Sequence, residues 1–177
     1  MLLLKDRLAK IPIMSLQTGA KIAETAQPII DPRQLRIVAL YCEGPRLDFH
    51  PAVLHVDDIR EVGALGIIVD SADNLMSPED LVRLQEVINF NFQLVGKRVK
   101  EDTGRKVGQV VDFAVDLDSF FVTKLYVQPS FLESLQMLQV IIGRSQVIEV
   151  NDKEIVVRSA TVEQKNASVA ESLAVKA

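Results

Sequence analysis

Polar and apolar residues alternate along most of this chain, and the clearest stretch lies in its second half. Val107, Gln109, Val111, Phe113 and Val115 fall on one face of an extended segment, with Asp112 and Asp116 on the other. A period of two predicts a half-buried β-strand. Around it the same reading places strands at 97–101, 121–128, 140–143, 147–150 and 154–158. The polar turns Asp102-Thr103-Gly104-Arg105, Asp116-Leu117-Asp118-Ser119 and Asn151-Asp152-Lys153 punctuate them. The first half repeats the scheme, with strands at 14–17, 20–30, 36–42, 53–56, 60–62 and 66–69. They are broken by Thr18-Gly19, Asp31-Pro32-Arg33-Gln34 and Glu43-Gly44-Pro45.

One segment has a different period. Ser77-Pro78-Glu79-Asp80 supplies an N-cap hydroxyl, a proline at the first helical position and acids in the first turn. Leu81, Leu84 and Ile88 come next at helical spacing, and Asn89-Phe90-Asn91 stops the run. This predicts a helix whose apolar stripe must be buried across or beside the β units.

The two halves resemble each other. Thr18-Gly19-Ala20-Lys21-Ile22-Ala23 is echoed 85 residues later by Thr103-Gly104-Arg105-Lys106-Val107-Gly108, and Tyr41 meets Tyr126 at the same shift. Glu61-Val62 meets Glu149-Val150, and Ile67 meets Ile155, at a shift of 88. Shared order and spacing predict an internal duplication, with three extra residues in a loop of the second copy.

Leu94-Val95-Gly96-Lys97-Arg98-Val99, the run Asp102–Asp112, and Arg144-Ser145-Gln146-Val147-Ile148-Glu149-Val150 resemble a PRC-barrel domain. Ser15-Leu16-Gln17-Thr18-Gly19 and Asp57-Asp58-Ile59-Arg60-Glu61-Val62-Gly63 stand at the matching places of the first copy. The resemblance covers roughly residues 11–160. It implies an all-β chain of two tandem small barrels of about six strands each, joined by a short α-helix. The first barrel would span 11–75, a helical linker 76–91, the second barrel 92–160 and a flexible tail 161–177. The family includes the cytoplasmic part of the photosynthetic reaction-centre H subunit and the C-terminal half of the ribosome maturation factor RimM. In both, the barrel serves protein–protein contact without catalytic residues. This chain shares neither setting, so neither role carries over.

Composition narrows the function. Of 177 residues, 48% are hydrophobic and only 5% aromatic, with no Trp, so Val, Ile and Leu must fill the interior. A formal charge of −4 argues against a general nucleic-acid binder. A single Cys excludes an internal disulfide framework and a cysteine zinc site. The mean hydropathy of +0.18 points to a rich core or to apolar surface held for a partner. Met1-Leu2-Leu3-Leu4 is too short for a signal-peptide core, and no apolar run is long enough to span a membrane, so a cytoplasmic location is expected. Thr161–Ala177 reads as a frayed tail or a marginal helix.

The chemistry-bearing residues read mostly as structure. Asp57, Asp58, Asp70 and Asp73 suit turn capping better than a cation site, and the spacing of a calcium loop is missing. His50 and His55 lack further ligands at metal spacing. Cys42 matches Val127 in the other copy and reads as a small buried hydrophobe. No catalytic, cofactor or metal set is expected. Lys97, Arg98, Lys100, Arg105 and Lys106 form a basic patch able to meet RNA phosphates, but without interleaved aromatics it reads first as a solvated hairpin. Phe131, Leu132, Leu135 and Met137, in the enlarged loop of the second copy, are the candidate partner surface. A non-enzymatic adaptor for a protein partner, or for a second copy of the chain, is the first expectation. An RNA-processing or ribosome-assembly factor, and a small-ligand binder using the space between the barrels, are the alternatives.

Overall fold

A computed structural model describes residues 1–45, 47–129 and 139–159. Of these, 50% are strand and 16% helical, so the chain is mostly β. Twelve of the fourteen strands follow the expected runs, and two short ones, at Leu2–Leu4 and Leu75–Met76, were not expected. The first sheet contains β2 (Pro12–Ser15), β3 (Lys21–Asp31), β4 (Arg36–Glu43), β5 (Ala52–His55), β6 (Glu61–Gly63), β7 (Gly66–Val69) and β8 (Leu75–Met76). The second contains β1 (Leu2–Leu4), β9 (Arg98–Glu101), β10 (Lys106–Asp116), β11 (Val122–Pro129), β12 (Val140–Gly143), β13 (Val147–Val150) and β14 (Glu154–Val157). The first runs β6-β7-β2-β3-β4-β5-β8. The second runs β12-β11-β10-β9-β14-β13, with β1 beside β10. Both are mixed, because β2–β7 and β9–β14 are parallel. Among the described residues neither hydrogen-bonded order returns on itself.

The pairings of the two sheets repeat, with β9 one residue off the shift of 85 relative to β2. Tyr41 faces Val53 as Tyr126 faces Ile141, and Ile13 faces Ile67 as Val99 faces Ile155. Gly19 and Gly104 both take positive φ, +65° and +87°, in the turn before the long strand, where a side chain would be strained. The copies meet about their own equivalent positions. Arg36 bridges Phe121, its counterpart; Ile37 N–H donates to the Phe120 carbonyl at 2.9 Å and Val122 N–H to the Leu35 carbonyl at 2.8 Å. Leu35 and Phe120, also counterparts, both adopt left-handed backbone, at φ +48° and +59°, and both are buried. One apolar cluster runs through the two sheets, from Ile13, Leu35, Leu40 and Ile67 to Phe113, Phe120, Leu125 and Ile155.

Two local expectations need correction. The alternation in β10 slips at a bulge between Val110 and Asp112, so Val110 is buried and Val111 points out, the reverse of the strict period. The helix is broken: Ser77 caps a 3-10 turn, Pro78–Asp80, by accepting from Glu79 N–H. Leu81 leaves helical geometry at φ −84°, ψ 61°. A second 3-10 turn, Val82–Leu84, precedes the only α-helix among the described residues, α1 (Gln85–Phe90). The Gln85 side-chain amide donates to the Pro78 carbonyl, which also accepts from Leu81 N–H. The buried stripe is therefore Leu81, Leu84 and Val87, spaced by three, with Ile88 only partly buried. This stripe lies beside the first copy's sheet, one of the two placements expected.

Candidate interaction face

Each sheet has an inner face in the shared core and an outer face. On the first sheet the outer face is covered. Ile29, Val38, Ala39 and Val53 are buried there under Leu81, Leu84 and Val87, with Tyr41, Met76 and Ile88 packed against them. β8 also closes the β5 edge, pairing Met76 with Val53 and Leu75 with Leu54.

Among the described residues no element covers the same face of the second sheet. Paired residues of an antiparallel ladder project to one side, so Leu4, Ala114 and Lys124 share a row, as do Asp112, Tyr126 and Ile141. Ile141 is 57% exposed, whereas its counterpart Val53 is at 0%. Leu2, Leu4 and Val111 are 55%, 42% and 43% exposed on the same side, around a half-buried Tyr126. β12 ends the sheet with its outer edge unpaired among the described residues. An apolar face beside an open strand edge suits either an added strand or an amphipathic helix. Three of these residues were hard to find from sequence. Val111 reaches the surface only through the bulge, and the leucines of β1 carry no period.

The expected partner residues Phe131, Leu132, Leu135 and Met137 lie outside the described residues. The basic patch lies within them and is largely engaged. Lys100 pairs with Glu154 at 2.6 Å, and Arg105 donates to the buried Glu101 carboxylate at 2.6 Å. The Lys97 ammonium bonds the Asp152 carbonyl and sits 4.9 Å from the Phe92 ring centre. Among the described residues Arg98 and Lys106 make no ion pair and are exposed on the ladder. The Arg105 hydrogen bond holds the Glu101 carboxyl below its ordinary range, against burial and with help from the Thr103 hydroxyl. The Lys100 bond lowers Glu154 in the same way. This patch therefore presents less free charge to phosphates than its composition implies.

Several of the other candidates are engaged in local contacts. Asp57 accepts from Arg36 at 3.2 Å, Asp70 pairs with Arg60 at 2.7 Å, and Asp73 accepts from the Ser71 hydroxyl. His55 Nδ1 accepts from Asp57 N–H at 3.1 Å, as the cap of a 3-10 turn. Cys42 is buried, and burial pushes its thiol up to about 12. Among the described residues no group of three or more His, Cys, Asp and Glu comes together to hold a metal, and no helix is long and apolar enough to cross a membrane. A cleft of about 300 Å³ between the copies is walled by Pro28, Phe92 and Phe113, with Lys5, Asp6, Gln27 and Gln93 at its polar positions. It is where the small-ligand alternative would place its site.

Across the chain as a whole, no protein-family model and no curated protein matches this sequence.

Proposed function

We propose that this chain is a non-enzymatic protein-binding adaptor built from two PRC-barrel-like units. The second unit presents its outer face to a protein partner, and the first holds that face in place. The apolar face around Ile141 carries the reading, because the equivalent face of the first unit is buried under the chain's own Leu81, Leu84 and Val87. An apolar surface of this kind at a strand edge invites nonspecific pairing unless something covers it. The repeated ladder registers support reading the chain as two equivalent units.

The test is affinity capture from the cell of origin, with captured proteins identified by mass. The intact chain is compared with the full chain carrying Val111→Asp and Ile141→Asp. A partner held by the intact chain should be lost from the double variant, with at least a tenfold fall in affinity once purified. Capture that is equal for both chains would reject this face. A retained RNA, bound with steep salt dependence, would instead favour the basic hairpin.

A further inference from the structure

The outer faces of the two sheets differ in charge. Ala39, at 0% exposure, lies beneath Leu81, Leu84 and Val87, and its counterpart on the second sheet at the shift of 85 is the exposed Lys124. Lys124 shares a row with Leu4 and Ala114, beside the row of Asp112, Tyr126 and Ile141. Arg98 stands in the row beyond, with Gln109 and Gln128. Over β9–β12 this face carries Arg98, Lys100, Lys106 and Lys124 against Asp112 and Asp116. Glu154 on β14 already holds Lys100, and the amino terminus and Ser119 hold Asp116. That leaves Arg98, Lys106 and Lys124 without an ion pair among the described residues, against Asp112, whose carboxylate accepts from Phe113 N–H. We propose that this face receives an acidic amphipathic helix from a protein partner, its apolar side on Leu4, Val111, Tyr126 and Ile141 and its carboxylates on Lys124 and Arg98. This rests on the assigned function and adds the chemistry of the partner.

The first copy shows which kind of chain such a face takes. Its cover is a run of helical turns with Leu81, Leu84 and Val87 inward, and in that run Glu79, Asp80 and Glu86 outnumber Arg83. There the small Ala39 lets the apolar residues close directly on the sheet. A lysine at the same place sets an ammonium within the apolar patch. Its stem packs along apolar neighbours, but covering its head is costly unless a carboxylate meets it. A neutral or basic segment would strand that charge, so the lysine selects against both and in favour of an acidic one. Arg98 and Lys124 lie on opposite sides of the Tyr126 row, on β9 and β11. From strand spacings they are roughly 15 Å apart, which a helix spans in about three turns. A lipid surface would also suit cations beside apolar groups, but the equivalent face of the first copy is filled by polypeptide.

Fluorescence anisotropy tests it with the full chain and three labelled synthetic peptides of about five helical turns. All carry leucine at helical spacing, and they differ only in having Glu, Gln or Lys at the flanking positions. The Glu peptide should bind at least tenfold more tightly than the other two, and more weakly as salt rises. Lys124→Gln alone should narrow that preference at least threefold. With Arg98→Glu and Lys124→Glu together the order should reverse in favour of the Lys peptide, and that reversal itself shows a folded chain. No binding of the Glu peptide, equal binding of all three, or a preference unchanged by Lys124→Gln overturns the proposal. Binding to phosphatidylserine vesicles without binding to the Glu peptide also overturns it, in favour of a lipid surface. A dimer in sedimentation that Ile141→Asp dissolves overturns it in favour of a second copy. The outcome is separable from that of partner capture. Selective binding of the Glu peptide with no protein captured sinks only the adaptor reading. A captured partner lost from the Val111→Asp, Ile141→Asp chain, with no preference among the peptides, sinks only this one.

Discussion

Truncating Phe120 to Ala should destabilise both copies together, although Phe120 belongs to the second. Its ring is buried in the cluster that runs through both sheets, and its carbonyl accepts the Ile37 N–H from the first copy. Removing a buried phenylalanine ring costs on the order of 3–5 kcal/mol through lost transfer energy and the cavity left behind. Alanine keeps the left-handed backbone of φ +59° no more easily than phenylalanine, so no relief of strain offsets that loss. With a urea m-value of about 2 kcal/mol/M, the midpoint should fall by about 2 M. Each half has its own reporter, since the chain holds two tyrosines and no tryptophan. Tyr126→Phe leaves Tyr41 to report the first copy, and Tyr41→Phe leaves Tyr126 to report the second. Coincident transitions before and after Phe120→Ala are the expected result. A fall confined to the Tyr126 transition would mean that the copies are independent and do not share a core.

Single positions give three further outcomes. Cys42 should stay unmodified by thiol reagents at pH 8 in the folded chain and react fully in denaturant, because burial raises its thiol to about 12. Glu101 is held below its ordinary pKa mainly by Arg105, so its contribution is present above the unfolded carboxylate pKa and lost as pH falls through the lower folded value. Acid titration of stability should therefore be flatter in Glu101→Gln, and an unchanged slope would remove that ion pair from the account. Gly66→Ala should lower stability by roughly 2–5 kcal/mol in chemical denaturation, from backbone strain plus overpacking. Its φ is +110°, and a Cβ there would lie 2.2 Å from the Pro12 carbonyl oxygen, on the strand that β7 must pair with.

The sequence by itself determined the features that depend on near neighbours. Period-two runs ending at Gly104, at Asp31-Pro32 and at Asn151-Asp152 located the strands to within a few residues, because alternation and turn chemistry act over two to four positions. The duplication was legible for the same reason, since equal local patterns recur at nearly constant shifts. The tertiary structure alone decided which surfaces meet. Leu2–Leu4 joins β10 more than a hundred residues away, Arg36 lies against its own counterpart Phe121, and the Leu81–Val87 stripe covers one sheet and not the other. The exposed face could not be read in advance, because Val111 turns outward only through the bulge. Ile141, for its part, has the same local pattern as the buried Val53. Equivalent residues in equivalent strands differ in exposure there because burial is a property of what packs on top, and the chain that covers Val53 comes from another element.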